Sequence, residues 1–111
     1  MAQYKTKHQG AIDSIQNDAL LIFGKYDLHL SMIWMAEEFG EVFQAIRKEK
    51  SKEEITGEFG DLLAWIFCLA NILNIRVEDA INYTFSKEIS RQLSVYGKMK
   101  YCDEKNVELH N

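Results

Sequence analysis

Two acidic stretches in apolar surroundings decide how this chain folds: MIWMAEEFGEVF at residues 32–43 and EFGDLLAWIF at residues 58–67. Neither contains proline, and their apolar side chains recur at three- and four-residue intervals, which predicts two amphipathic helices. Carboxylates held among apolar side chains cost free energy unless a positive group compensates them. The chemistry of this chain therefore depends on which positive group these acids hold.

The composition predicts a single all-α domain of the four-helix-bundle type. The chain has 111 residues, 47% of them hydrophobic, and it contains no proline and only six glycines. Long uninterrupted helices suit such a sequence better than a β-sandwich with many tight turns. We expect helices at about residues 9–25, 28–48 and 53–73 and from residue 77 onward. The domain covers residues 1–97 in this interpretation, and a polar tail follows at 98–111.

Several classes of protein are disfavoured by the same composition. A net charge of −4 is unlike the basic footprint of a nucleic-acid-binding protein. The N-terminus lacks the apolar segment of a signal peptide, and the longest apolar run, residues 62–75, is interrupted by Asn71 and Asn74. Cys68 and Cys102 fit neither a disulfide framework nor a zinc site, and Cys68 is predicted to be a core residue. We therefore expect a cytoplasmic protein that binds neither nucleic acid nor a membrane.

A hairpin of the second and third helices would bring the two acidic stretches together. If the chain turns near residue 49 or 50, residues equally distant from the turn face each other across the hairpin. The facing pairs are then Glu38 with Asp61, Glu41 with Glu58, and Trp34 with Trp65. Four carboxylates in one layer suit a hard divalent cation, Mg²⁺ or Mn²⁺, and the tryptophans offer a surface on which a nucleobase can stack.

Simpler interpretations of the same residues stay open at this point. Three glutamates on one helix are often a solvated face, and a tryptophan pair is often part of a core or a dimer interface. A di-iron bundle would need Glu-x-x-His on two helices, and the three histidines lie outside both stretches. Spacing alone therefore leaves both a metal site and an ordinary acidic surface possible.

The paired acidic motif resembles the signature of the MazG-like all-α nucleotide pyrophosphohydrolases. Glu37-Glu38-x-x-Glu41 is followed, after sixteen residues, by Glu58-x-x-Asp61, and the similarity extends over about residues 30–92. Relatives that act on phosphoribosyl-ATP share the acid pattern, whereas the run from Leu69 to Ile75 is closer to the MazG and dCTP-pyrophosphatase members. The resemblance implies a MazG-like helical fold assembled as a dimer or a dimer of dimers.

The resemblance also implies a reaction and roles for particular residues. The reaction is Mg²⁺-dependent hydrolysis of a nucleoside triphosphate to the monophosphate and pyrophosphate, typical of nucleotide-pool house-cleaning, with Mn²⁺ as a possible substitute. The family's metal ligands correspond to Glu38, Glu41, Glu58 and Asp61. Glu37 would assist Glu38 in catalysis, by orienting water or by helping to hold a further metal ion.

Substrate binding is assigned to four residues by the same combination of motif and resemblance: Trp34, Trp65, Lys87 and Arg91. Lys87 and Arg91 resemble the family's downstream basic positions, although a solvated or ion-paired helix face explains them equally well. The alternatives to an enzyme are a non-catalytic helical dimerisation or nucleotide-sensing module of the same fold, and a structural bundle that needs no Mg²⁺. If the protein is an enzyme, the expected partners are a nucleoside triphosphate and further copies of the chain, which would form a homodimer or homotetramer.

Overall fold

Four α-helices make up the part of the chain that the computed structural model describes, residues 10–101. They are α1 (Ala11–Phe23), α2 (Leu28–Arg47), α3 (Lys52–Ile72) and α4 (Val77–Tyr96). No strand occurs between residues 10 and 101, so the predicted all-α class is confirmed, with helix ends within two residues of the predicted ones. Residues 1–9, and the part of the predicted tail from residue 102 onward, lie outside the described residues.

Side-chain caps fix where α2 and α3 begin. The Asp27 carboxylate accepts a hydrogen bond from the backbone N–H of Leu30 at 3.0 Å, so Asp27 caps α2. The Ser51 hydroxyl accepts from the backbone N–H of Glu54 at 3.1 Å and caps α3 in the same way. These caps satisfy N–H groups that the first turn of a helix leaves without partners. They set the length of the loops on either side of α2 and hence the register of the hairpin.

The helices α1, α2 and α3 form one compact unit, Gly10–Val77, and residues 78–101 belong to a second unit. Within the first unit, α3 packs against both α2 and α1. The buried apolar side chains are small and few: Ala19, Val42, Ala45, Leu62 and Cys68. The predicted core position of Cys68 is confirmed, with 4% of the residue exposed.

The apolar side of α2 is not the side that α3 covers. On a helical wheel the apolar side chains of α2 form one face, which predicts that they are buried: Met32, Met35, Phe39, Val42, Phe43 and Ile46. Val42 is buried and Met35 half-buried, but Met32, Phe39, Phe43 and Ile46 are 53%, 39%, 61% and 49% exposed. Ser31 and Ala45 are the other buried residues of α2, and with Val42 they lie on the same stripe as Glu38. The predicted burial is wrong because a helical wheel separates two faces without indicating which one the neighbouring helix covers. Within this chain, α3 covers the acidic side.

The second unit is described through α4. Residues Ile81 and Ile89 are half-buried, as the periodicity predicted. The same periodicity also predicts that Phe85 and Leu93 point inward, and this is wrong, since they are 48% and 42% exposed. The apolar stripe of α4 is therefore wider than the strip of the helix that is covered.

Helix α3 is also long and apolar enough to cross a membrane when judged by length and composition alone, with a mean hydropathy of 1.3. The longest apolar run of the sequence, residues 62–75, covers only part of this helix, which starts at Lys52. Glu58 and Asp61 lie within this helix, and charged groups at such positions are costly in a lipid bilayer. Packing against α1 and α2 accounts for part of the apolar composition of α3, while Phe59 and Leu63 stay 45% and 52% exposed.

Candidate active site

The tryptophan pair shows that α2 and α3 adopt the predicted antiparallel register. The ring centroids of Trp34 and Trp65 lie 5.5 Å apart, with an angle of 53° between the ring planes. One helical turn closer to the hairpin turn, the same register brings Glu38 opposite Asp61. Trp34 and Trp65, which are 31 positions apart in the sequence, thus meet because the hairpin is symmetric about its turn.

Three carboxylates converge at this level of the hairpin. One oxygen atom from each of Glu38, Glu58 and Asp61 lies within 4.8 Å of the others. Glu38 and Glu58 are half-buried, while Asp61 is exposed. Among the described residues, the Oε2 atoms of Glu38 and Glu58 are buried and have no hydrogen-bond partner. Two buried acceptors without donors, side by side, are unusual in a folded protein and need an explanation.

The electrostatics of the cluster favour a bound cation. Burial raises the pKa of Glu38 above its ordinary value, and the negative charges of Glu41, Asp61 and Glu58 raise it further. Burial also raises the pKa of Glu58, with Glu41 as the next contribution and Asp61 after it. Glu41 therefore acts on both buried carboxylates and belongs to the same charged layer. Oxygen-only ligands with a deficit of positive charge are the donor set that hard divalent cations prefer, so these residues fit a Mg²⁺ or Mn²⁺ ion.

An aromatic pocket opens beside the carboxylates, and we refer to it by that name below. Its volume is about 480 Å³. It is lined by Phe23, Tyr26, Trp34, Glu38, Asp61, Ala64, Trp65 and Cys68. The Tyr26 ring packs edge-on against Trp34, with centroids 6.1 Å apart and an interplanar angle of 81°. The pocket thus has aromatic walls and acidic groups at one edge.

Sequence reasoning missed four of the pocket's residues: Phe23, Tyr26, Ala64 and Cys68. Phe23 and Tyr26 come from the end of α1 and the loop after it, and no periodicity connects a loop residue to a site on the next helix. Cys68 lies one helical turn beyond Trp65, so the spacing did contain a signal for it. Burial raises the pKa of the Cys68 thiol, which keeps it neutral in the pocket wall.

Glu37, Lys87 and Arg91 are the remaining predicted site residues. Glu37 is exposed on α2. Lys87 and Arg91 lie on α4, in the unit that is described separately, and Lys87 is exposed. The guanidinium of Arg91 donates to both carboxylate oxygens of Glu88, at 2.8 and 2.7 Å. The predicted roles of Glu37, Lys87 and Arg91 thus stay predictions.

The fold and the acidic site together define a class of helical hydrolases, and comparison with known proteins identifies the family. The model of the MazG nucleotide pyrophosphohydrolase domain matches residues 27–96. A similar solved structure is that of the Bacillus-conserved MazG protein, a nucleotide pyrophosphohydrolase, with 26% sequence identity and a TM-score of 0.65. The match covers 77% of this chain and 93% of the Bacillus chain. No curated protein sequence is significantly similar.

The chain belongs to the MazG family of nucleotide pyrophosphohydrolase domains. It is a hydrolase that acts on phosphoanhydride bonds of nucleotides. The predicted MazG-like fold is confirmed by the family match and the structural match together.

Proposed function

We propose that this enzyme hydrolyses nucleoside triphosphates to the monophosphate and pyrophosphate with Mg²⁺ as its cofactor, and that Mn²⁺ can replace Mg²⁺. The observation that carries the proposal is the pair of buried, unpartnered carboxylate oxygens on Glu38 and Glu58, next to Asp61. Such a site repels a bare triphosphate, so the cation and the substrate belong together there.

Four residues would hold the metal: Glu38, Glu41, Glu58 and Asp61. The bound cation would neutralise phosphate charge and lower the pKa of a coordinated water molecule. Glu37, exposed one residue before Glu38, would orient the attacking water and accept its proton. Lys87 and Arg91 would add positive charge for the phosphates, once Arg91 exchanges Glu88 for the substrate.

The aromatic pocket supports a nucleobase site between Trp34 and Trp65. Stacking on an aromatic side chain contributes about 1–3 kcal/mol per base and tolerates different bases. The pocket's volume of about 480 Å³ is within the range of small-molecule sites. A site that relies on stacking suits house-cleaning of a cytoplasmic nucleotide pool, in which unwanted triphosphates vary in their bases.

A panel of nucleoside and deoxynucleoside triphosphates with Mg²⁺ tests this function. We expect release of monophosphate and pyrophosphate from at least one of them, and loss of that release after Asp61→Asn. Absence of pyrophosphate release from every triphosphate, with wild type and Asp61→Asn alike, would overturn the proposal. Tight calorimetric binding of a non-hydrolysable analogue without any turnover would instead identify a nucleotide-sensing module.

We also propose that the enzyme is a homodimer or a homotetramer, assembled through the exposed apolar side of α2. Phe39 and Phe43 stack there with ring centroids 6.2 Å apart, and Phe43 is 61% exposed. Burying such a surface against a second copy would remove it from water. We expect Phe43→Glu to dissociate the oligomer in sedimentation velocity, while the control Leu21→Glu, on the exposed surface of α1, leaves it intact. A monomeric wild-type protein would contradict this assembly.

A further inference from the structure

A second pocket adjoins the carboxylates on the side away from the tryptophans, and we call it the turn pocket. Its volume is about 430 Å³. Its polar lining consists of Glu41, Gln44, Lys48, Lys50, Glu54 and Glu58. Because Glu41 and Glu58 line it, the turn pocket opens from the same charged layer as the aromatic pocket, which contains Glu38 and Asp61. The carboxylates thus lie between an aromatic end and an end that carries two lysines.

The backbone of the turn fixes where the two lysines start. Glu49 adopts a left-handed conformation with φ of 53°, which ends α2. The N–H of Lys48 donates to the carbonyl of Gln44 at 2.9 Å, and the N–H of Lys50 donates to the carbonyl of Ala45 at 3.0 Å. This pattern satisfies the last carbonyls of α2 and leaves little freedom in the turn. The backbone positions of Lys48 and Lys50, on either side of Glu49, are therefore fixed by the fold.

The positive charges of Lys48 and Lys50 are not neutralised by an ion pair within the described residues. Neither ammonium forms an ion pair within residues 10–101, whereas Arg91 is paired with Glu88. Lys48 at the end of α2 complements the negative end of that helix dipole. Lys50 directly precedes Ser51, the N-cap of α3, where the positive end of a dipole disfavours a cation. A structural role thus explains Lys48 in part and does not explain Lys50.

We propose that Lys48 and Lys50 bind the terminal phosphates of the substrate, the part that leaves as pyrophosphate. Lys48 follows Glu41 by seven positions, about 10 Å along the axis of α2, a distance that a lysine side chain and a diphosphate group together can span. The substrate then lies along the hairpin, with its base at the tryptophans and its pyrophosphate end at the turn. The orientation rests on the proposed function, since it assumes a nucleoside triphosphate at the carboxylates. The lysines neutralise charge that builds up on the departing pyrophosphate.

Calorimetric titration with inorganic pyrophosphate in the presence of Mn²⁺ tests the assignment separately from turnover. We expect Lys48→Ala/Lys50→Ala to weaken pyrophosphate binding at least tenfold. Binding of the nucleoside monophosphate, which would occupy the aromatic end, stays within twofold of wild type. The control is Lys52→Ala, which removes an exposed lysine at the start of α3 that does not line the pocket, and it leaves both affinities unchanged. Lys50→Arg keeps the charge and retains pyrophosphate binding.

Three results would overturn the assignment. The first two are unchanged pyrophosphate affinity in the double variant and an equal loss of affinity for the monophosphate. A loss of Mn²⁺ binding in the double variant would also overturn it, because the lysines would then act on the metal site. Wild-type turnover is measured alongside. If the wild type is active and the double variant binds pyrophosphate as tightly as the wild type does, only this inference is contradicted. An inactive wild type contradicts the proposed function.

Discussion

The two ends of α3 treat buried polar groups in opposite ways. Near its C-terminal end, the amide of Gln16 from α1 is fully engaged. Its nitrogen donates to Asn71 Oδ1 at 3.0 Å and to the Ile75 carbonyl at 2.8 Å, and its oxygen accepts from the Val77 N–H at 2.8 Å. The side chain of Asn71 donates in return to the backbone carbonyl of Gln16 at 3.2 Å. Nearer its N-terminal end, α3 presents Glu58, whose buried Oε2 has no partner among the described residues.

This difference distinguishes polar groups that stabilise the fold from polar groups that are available to bind a ligand. A satisfied amide network joins α1 to the end of α3 and to the backbone N–H of Val77, and removing part of it leaves buried groups unpaired. Carboxylates placed beside one another without donors repel, and the fold tolerates them at a cost in stability. A protein that retains such a destabilising arrangement is expected to use it to bind a ligand from outside the chain. Substitutions at the two ends should therefore affect different properties.

The largest expected effect is the loss of turnover on Asp61→Asn. Removing the negative charge of Asp61 would weaken the proposed metal site, and we therefore expect kcat/KM to fall at least about 100-fold, about 2.7 kcal/mol of transition-state stabilisation. Pyrophosphate release measures it. Glu53→Gln, an exposed acid in the first turn of the same helix, is the matched control and should stay within about threefold of wild type. Similar losses in both variants would show that the general charge of α3, rather than the cluster, is what matters.

The second effect is a loss of stability on Gln16→Leu. The leucine cannot replace the three hydrogen bonds of the amide, so Asn71 and the Val77 N–H are left unsatisfied. We expect a loss of about 2–4 kcal/mol in the free energy of unfolding, measured by urea denaturation. The neighbouring exposed Asn17→Ala should change it by less than about 0.5 kcal/mol. If Gln16→Leu unfolds like wild type, the engaged end of α3 is not what fastens α1.

The sequence predicted one of these ends and not the other, for a physical reason. The partners of the carboxylates follow from a single hairpin, so Glu38, Asp61 and the tryptophans could be paired by counting from one turn. Gln16 finds its partners 55 to 61 residues away, across two loops, and nothing in its own helix indicates them. The exposed side of α2 was missed differently: periodicity identified Phe43 as apolar but did not indicate whether this chain or another surface covers it.

The third effect is a rise in the stability of the metal-free protein on Glu58→Gln. Burial and the charge of Glu41 raise the pKa of Glu58 in the folded state above 4.5, so the folded protein holds that proton more tightly than the unfolded chain does. The corresponding stability is fully present below pH 4.5 and is lost as the pH rises through the raised pKa. At pH 7, we therefore expect glutamine to raise the Tm by a few degrees.

Metal addition makes that measurement decisive. A structural bundle without a metal also predicts a higher Tm for Glu58→Gln, so the substitution alone does not separate the two interpretations. Adding Mn²⁺ should raise the Tm of the wild type and have a much smaller effect on Glu58→Gln, because binding to the folded state stabilises it. Equal Tm values with and without Mn²⁺ in the wild type would argue that the cluster holds no metal.

The smallest effect is expected at the engaged end itself, on Asp13→Asn. The Nε atom of Arg76 donates to the Asp13 carboxylate at 2.8 Å, and this hydrogen bond lowers the pKa of Asp13 below 3.8. Its contribution is present above pH 3.8 and disappears as the pH falls through the lowered value. Because the side chains of Arg76 and Asp13 are 44% and 37% exposed, water and salt screen the pair, and the Tm should fall by no more than about 2 °C. A loss as large as that of Gln16→Leu would mean that the surface ion pair, and not the buried amide, holds α1 against α3.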